Sequence, residues 1–276
     1  MQIFTVTSDG MNRKQLTTGP DTHWMPVWSP DGKKIAYVAR FDISKARMDI
    51  WVMNADGTNK KQLTKDGVNM LPSWSPDGTK IAYAHSGLDL VLLKIWTMNV
   101  DGTNPQQITT GTSDDNSPTW SKDGTHIAFT SNQEGGQYQI WVMNADGTNI
   151  HALTKKSYDS VTKADIEQKV PAWSPDGTMI AFWQGVEANE ISDWARQGKP
   201  TPRDDLIGQT WHIWVMNADG TSKKQIAPGD DPSWSPDSKK LLFTYTGKGI
   251  GMVNADGNDL KVFYHASGHA SWQPIP

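Results

Sequence analysis

Polar side chains recur three to five positions before a tryptophan that is repeated along this 276-residue chain. They are the imidazoles of His23 and His269, the carboxylates of Asp115 and Asp231, and the amide of Asn69. Imidazole and carboxylate are adequate ligands for Mn, Fe or Zn, so a fold that gathered these groups could hold a divalent cation in a central channel. Because they come from distant segments without a metal-binding spacing, we favour a solvated polar rim and predict no metal or other cofactor.

Tryptophans form a second group of candidate binding residues. The chain has 14 of them, and ten belong to two repeated motifs. The other four lie in or beside connections that vary between the repeats, and they are Trp24, Trp183, Trp194 and Trp211. Large aromatic side chains often dominate the energy of binding surfaces. We therefore predict that these four, with the polar residues above, form the binding site, and we assign no catalytic residue.

Composition disfavours several classes of function. The chain has no cysteine, which excludes a disulfide scaffold, a thiolate zinc site and a cysteine nucleophile. Its 26 basic and 30 acidic residues give a net charge of -4, which predicts no nucleic-acid partner. No apolar run is long enough to span a membrane. The first residues lack the features of a signal peptide, so we expect a cytoplasmic protein, or a periplasmic or extracellular one if the chain is already processed.

Two motifs repeat along the whole chain, six times each. The first, Trp-Ser-Pro-Asp-Gly, stands at residues 28–32, 74–78 and 173–177, with variants at 120–124, 234–238 and 272–274. The second, Ile-Trp-Val-Met-Asn-Ala-Asp-Gly, stands at residues 50–57, 140–147 and 213–220, with looser copies at 3–10, 95–102 and 250–257. Repeats of about 40–45 residues are typical of propeller blades.

Each repeat predicts four short strands, here labelled A to D in chain order. The β-branched and aromatic runs are too short for stable helices, and the Pro-Asp-Gly and Ala-Asp-Gly turns predict tight A–B and C–D hairpins. Strands that are apolar on both faces pack radially, so we predict an all-β, six-bladed β-propeller of four-stranded blades. Ser238 replaces the glycine of the first turn, and if its φ is positive, Ser238→Gly should stabilise the protein by about 1 kcal/mol.

The termini are predicted to share the last blade. We expect one propeller domain over residues 1–276, whose last blade combines residues 1–17 with residues 266–276 and closes the ring. The pattern supplies strands A, C and D for this blade but no strand B. Either the blade has three strands, or residues upstream of Met1 supply the fourth.

The two motifs together resemble the repeat of the TolB-type β-propeller, a WD-like repeat, over essentially the whole chain. The resemblance implies a protein-binding scaffold, since TolB itself is a periplasmic protein that binds its partners through the propeller. Related blades also occur in prolyl-oligopeptidase-type peptidases and in oligogalacturonate lyases. The resemblance is specific for the fold and less so for the function.

The B–C and D–A connections predict the functional face. The A–B and C–D hairpins on the other face are near-identical, whereas these connections vary, most of all at residues 184–210 and 155–170 of the fourth blade. Elaborated loops on one face of a repeat protein usually carry the binding site. We predict a non-catalytic, monomeric interaction module that recognises a protein segment or a small ligand on this face. The alternative is a metal-assisted hydrolase or lyase that acts on a carbohydrate or lactone at the channel mouth.

Overall fold

The computed structural model describes residues 1–9, 11–40, 47–87, 92–133, 136–158, 165–186, 211–245, 248–263 and 269–274. Regular secondary structure in these ranges consists of 22 β-strands. No helix in the same ranges is long and apolar enough to cross a membrane.

Twenty of the strands form five four-stranded antiparallel sheets, which are blades one to five. Blades one to three contain β3 (Thr22–Trp28), β4 (Lys34–Arg40), β5 (Asp49–Asn54), β6 (Lys61–Gln62), β7 (Val68–Trp74), β8 (Lys80–Ser86), β9 (Lys94–Asn99), β10 (Gln106–Gln107), β11 (Asp115–Trp120), β12 (His126–Ser131), β13 (Gln139–Asn144) and β14 (His151–Ala152). Blades four and five contain β15 (Glu167–Trp173), β16 (Met179–Gly185), β17 (Trp211–Asn217), β18 (Lys224–Pro228), β19 (Asp230–Trp234), β20 (Lys240–Tyr245), β21 (Gly249–Asn254) and β22 (Lys261–Phe263). The predicted A-to-D order is confirmed in all five blades.

The predicted number of six blades is wrong, because the described residues form five four-stranded blades. The first repeat forms only a two-stranded N-terminal sheet of β1 (Phe4–Thr5) and β2 (Lys14–Gln15), and the described C-terminal residues, 269–274, form no strand. Without a B strand, nothing can join an A strand from one terminus to a C strand from the other by hydrogen bonds. Within the described residues no sixth four-stranded blade closes the ring, while the single domain over residues 1–276, with residues 1–17 and 266–276 in its last blade, stays a prediction.

The N-terminal sheet nevertheless packs on blade one as a neighbouring blade would. Ile3 and Leu16 are buried in one apolar cluster with Ile35, Tyr37 and Met53 of blade one. The C-terminal residues contact blades one and five: His269 Nδ1 lies 2.8 Å from Asp231 Oδ2, and Gln273 Nε2 lies 3.3 Å from the carbonyl oxygen of Gly32. Both ends of the chain are thus held against the sheets.

The A–B hairpins repeat one set of hydrogen bonds in all five blades. In blade two, the Ser75 hydroxyl donates to Asp77 Oδ1 at 2.6 Å and accepts the backbone N–H of Lys80 at 2.9 Å. The turn ends on a glycine with positive φ in blades one to four and on Ser238 in blade five, where φ is 58°. The positive φ on which the expected effect of Ser238→Gly depends is therefore present. Ser238 Oγ, however, also accepts the backbone N–H of Asp176 at 3.0 Å.

The C–D hairpins form a regular outer rim. A Cβ added to Gly57 in blade one would lie 3.1 Å from the carbonyl oxygen of Leu16 in the preceding sheet. The same turn glycine meets a Leu or Ile of the preceding blade in the other four blades, as the pairs Gly102–Leu63, Gly147–Ile108, Gly220–Leu153 and Gly257–Ile226 show. In blades one to four a Cβ on the glycine would lie 3.1 Å or less from that residue, so the lack of a side chain allows the close approach, whereas the 3.5 Å at Gly257 is an ordinary contact. Each blade therefore couples to its predecessor in the same way.

Every inner strand carries a β-bulge near its start. The register of A against B shifts in all five blades, and one non-glycine residue there has a φ of 52–56°. These residues are Met25, Leu71, Ser117, Val170 and Asp231. A bulge adds a residue to one strand and changes which way the following side chains point. It therefore resets the alternation of side chains before each motif tryptophan.

Candidate functional site

The polar residues five positions before the motif tryptophans lie inside the blades. Asn69 and Asp115 are fully buried, and His23 is 6% exposed. Asn69 Oδ1 lies 2.9 Å from His85 Nδ1 on the neighbouring B strand. Burial lowers the pKa of His85, although the charge of Asp66 opposes this effect. Asn69 thus joins strand A to strand B of blade two.

Asp115 is part of a buried ion pair. Its Oδ2 lies 3.1 Å from Lys94 Nζ, and its Oδ1 accepts the hydroxyl of Ser131 at 2.6 Å. Lys94 Nζ also donates to the carbonyl oxygen and the hydroxyl of Ser113. Each polar atom of the carboxylate has a partner, which is the usual condition for burying charge. The ion pair thus joins strand A of blade three to strand C of blade two.

His23 and Trp24 lie on blade one. His23 Nδ1 is 3.2 Å from Gln2 Oε1, and burial lowers the pKa of the imidazole. The His23 ring lines a cleft of about 210 Å³ together with Tyr37 and Lys60. Trp24 is half-buried opposite Val38.

Asp231 and His269, two of the predicted site residues, are in direct polar contact, with His269 Nδ1 2.8 Å from Asp231 Oδ2. Burial alone would lower the pKa of His269, but the hydrogen bond and charge of Asp231, with the charge of Asp230, raise it above its ordinary value. Within the described residues, no group of three or more His, Cys, Asp or Glu side chains is placed to hold a metal ion. The pair therefore forms a contact between the C-terminal residues and blade five.

Two of the predicted tryptophans come together on blade four. The rings of Trp183 and Trp211 pack edge to face, with centroids 4.4 Å apart and an interplanar angle of 65°. Trp183 lies near the end of β16 and Trp211 begins β17, so the B–C connection starts and ends beside the pair. Both side chains are half-buried and keep exposed surface. Trp194 and most of the predicted loop, residues 187–210, lie outside the described residues.

Two residues that the sequence analysis did not select extend this pair. Lys169 Nζ lies 4.2 Å from the ring centroid of Tyr138 and 5.5 Å from that of Trp183. Glu167 Oε2 lies 3.8 Å from Lys169 Nζ and accepts the backbone N–H of Tyr138 at 2.9 Å. Ammonium groups at such distances are attracted to aromatic rings. We call Tyr138, Lys169, Trp183 and Trp211 the aromatic patch.

A cleft between blades two and three adjoins the aromatic patch. Its volume is about 380 Å³, and its lining residues are Val68, Met70, Ser86, Leu92, Leu93, Asp114, Asn132 and Tyr138. Asp114 links two other lining residues, because its carboxylate accepts the Tyr138 hydroxyl at 2.6 Å and the backbone N–H of Leu93 at 2.7 Å. Tyr138 therefore belongs to both the cleft and the patch.

The aromatic patch and the cleft lie at the end of the blades that carries the B–C and D–A connections. Tyr138 comes immediately before strand C of blade three, and Lys169 lies near the start of strand A of blade four. Trp183 and Trp211 are at the end of B and the start of C. Strands A and C start, and strand B ends, where the D–A and B–C connections are. A tyrosine directly before a C strand was the sequence signal that could have identified Tyr138.

Comparison with known proteins gives one family and several similar structures. Residues 1–199 match the family model described as the TolB beta propeller domain. The structure is similar to TolB from Acinetobacter baumannii (TM-score 0.75, 21% identity, 99% of this chain and 63% of that one) and to a putative TolB from Agrobacterium tumefaciens (TM-score 0.54, 19% identity, 79% and 86%). A segment of 64 residues is 41% identical to dipeptidyl-peptidase 5 of Porphyromonas endodontalis, and it covers 23% of this chain and 9% of the peptidase. The chain thus spans less than two thirds of the length of the Acinetobacter TolB and a small part of the peptidase.

Proposed function

The chain belongs to the family of TolB beta propeller domains, and on that premise we propose that it is a non-catalytic binding module for an extended segment of another protein. The segment binds across the aromatic patch and the adjoining cleft, on the face that carries the B–C and D–A connections. The proposal goes beyond the family, because the family describes the fold and leaves the ligand and the face open.

The observation that carries the proposal is the aromatic patch itself. Trp183 and Trp211 present two half-buried rings beside Lys169, which lies between Trp183 and Tyr138. Rings that are fixed by packing lose little conformational entropy on binding, and tryptophan and tyrosine are enriched in interface hot spots. The patch thus offers a preformed apolar surface with a polar margin.

The cleft adds a reason to favour a protein segment. The cleft is lined by the apolar side chains of Met70, Leu92 and Leu93 and by the polar side chains of Asp114 and Asn132. Tyr138 belongs to both the cleft and the aromatic patch, so the two binding places are adjacent. A chain that spans both places uses two anchors at once, which favours an extended segment over a compact small ligand.

A library of random 12-residue peptides, selected on the immobilised protein, provides the probe. Peptides recovered from the selection should bind saturably, and Trp211→Ala and Lys169→Ala should each weaken binding by about tenfold or more. His151→Ala, on the exposed hairpin face, is the matched control and should leave affinity unchanged. Thermal melting of each variant verifies that the fold is intact.

Two results would contradict the proposal. One is a selection that yields no saturable binder. The other is a set of binders whose affinity is the same for the wild type, Trp211→Ala and Lys169→Ala. If only substitutions on the hairpin face lowered the affinity of the binders, the binding site would lie on the hairpin face and not on the proposed one.

A further inference from the structure

The N-terminal sheet has the hydrogen-bonding pattern of strands C and D of blade one. The backbone N–H of Ile3 donates to the Thr17 hydroxyl at 2.8 Å, as that of Ile50 does to Thr64 at 2.9 Å. The N–H of Leu16 donates to the Ile3 carbonyl at 2.9 Å, as Leu63 does to Ile50 at 2.8 Å in blade one. This correspondence places Phe4 at the position of Trp51 and Val6 at the position of Met53.

Val6 is exposed at a position that is buried in every blade. Its exposed fraction is 56%. The equivalent side chains are at most 2% exposed, and they are Met53, Met98, Met143, Met216 and Val253. The exposure of Val6 indicates that the element which covers the equivalent side chain in the blades is not among the described residues.

The covering element in the blades is strand B. Ile35 of β4 pairs with Met53, and the partner of the equivalent residue is Ile or Leu in all five blades. Within the described residues, β1 pairs with β2 alone. Since the Ile3 backbone bonds toward β2, the alternation of an antiparallel strand turns the backbone N–H and C=O groups of Phe4 and Val6 to the open edge. An edge of this kind is a template for an added strand.

We propose that the open edge of β1 binds an extended, apolar segment of another protein by strand addition. The segment adopts the place that strand B has in a blade, with Ile or Leu opposite Val6 and an aromatic residue two positions further, opposite Phe4. Main-chain hydrogen bonds supply affinity in this mode, and the alternate side chains supply specificity. The site is separate from the aromatic patch and does not depend on the function proposed for it.

A second copy of the folded chain is a poorer occupant. Every described B strand is paired on both sides, and the outer D strands of blades one to three are only two residues long. A folded copy therefore has no unpaired strand of the six or seven residues that strand B has in the blades, within the described part of the chain. An unfolded or flexible segment of a partner protein meets this requirement.

A synthetic peptide with the sequence of residues 33–40, labelled with fluorescein at its N-terminus, is the probe. We expect saturable binding by fluorescence anisotropy. Val6→Asp should weaken it by about tenfold or more, because the added strand would bury an unpaired charge. Ile150→Asp changes another exposed apolar residue, at 37% exposure on blade three, and should leave binding unchanged. Since Val6 is mostly exposed, Val6→Asp should keep the thermal midpoint of the wild type.

The peptide also has a matched control. N-methylation at its Ile and Tyr residues removes the N–H groups that face β1 and leaves the side chains in place, so it should abolish binding. Equal binding of the methylated peptide, or no saturable binding of the parent, would overturn strand addition. A dimer of the wild-type protein in sedimentation that Val6→Asp converts to a monomer would also overturn the proposal, because the occupant would then be a second copy.

Discussion

The two faces of the propeller satisfy their polar groups in different ways. On the A–B hairpin face, the same Ser-to-Asp hydrogen bond occurs in five blades at 2.6–2.7 Å. On the opposite face, the residue five positions before the motif tryptophan has a different partner in each blade. Asn69 of blade two contacts His85, Asp115 of blade three contacts Lys94 and Ser131, and Gln168 of blade four contacts Gln184. One face is thus fixed by the repeat, and the other keeps the backbone while its side chains vary.

The largest expected effect comes from the varied face. Asp115→Ala leaves Lys94 charged and buried without its carboxylate, so it should lower the free energy of unfolding by about 3–5 kcal/mol in urea denaturation. The double variant Lys94→Met/Asp115→Leu removes both charges and should recover most of this loss.

Ser75→Ala is the matched change on the uniform face. It removes the hydroxyl that binds Asp77 and Lys80, and it should cost about 1–2 kcal/mol. If Asp115→Ala costs no more than Ser75→Ala, the Lys94–Asp115 pair is not a distinct stabilising element of the varied face.

The second prediction concerns pH, which should act on the two regions in opposite directions. Because the pKa of His269 is raised, its pair with Asp231 stabilises fully below the unfolded pKa of about 6.5, and the contribution is lost as the pH rises through the folded pKa. The hairpin aspartates have lowered pKa values, that of Asp123 about 2 because Ser121 and Thr125 donate hydrogen bonds to it, so their contribution is lost as the pH falls below about 4.

Melting curves of the wild type and His269→Gln check this prediction. The wild type should have the higher thermal midpoint at pH 6, and the difference should shrink by pH 8. His151→Gln, an exposed histidine on the hairpin face, should show no such trend. A difference that is constant from pH 6 to pH 8 would mean that protonation of His269 does not contribute to the contact.

The smallest effect is expected for Ser238→Gly. Relief of the positive φ should add about 1 kcal/mol, while loss of the hydrogen bond from the Asp176 N–H should remove a similar amount. The free energy of unfolding should therefore stay within about 0.5 kcal/mol of the wild type. Gly78→Ala is the converse control and should cost about 1 kcal/mol at φ 70°. A full gain of about 1 kcal/mol for Ser238→Gly would mean that the hydrogen bond contributes nothing.

The repeat predicted the strands and hairpins because their signals are local. Trp74 and Trp234 end inner strands as expected, and their indole N–H groups donate to Val27 and Ala172 of neighbouring inner strands. The number of blades was wrong because a motif count does not show whether each copy has a B strand to join its sheet. Phe4 and Lys14 match the C and D patterns well, yet they form a sheet of two strands.

The candidate site was harder to predict for a geometric reason. Alternation along a strand would place successive side chains before each tryptophan on opposite faces, but the bulge at Val170 and its equivalents breaks that alternation. Asp115, just before the bulge of its strand, is fully buried and binds Lys94 and Ser131. Trp183 and Trp211 were selected because they interrupt the repeat, whereas Tyr138 contacts Lys169 of the next blade, and its sequence signal is its position directly before a C strand.

The contact of each C–D glycine with the preceding Leu or Ile has a consequence for how such a chain can change length during evolution. Gly102 meets Leu63 as Gly57 meets Leu16, so the coupling between neighbours does not depend on which two units are joined. Unequal recombination between near-identical segments of the gene would insert or delete one unit whose two sides still match. We therefore expect length variation in related chains to occur in steps of one whole repeat.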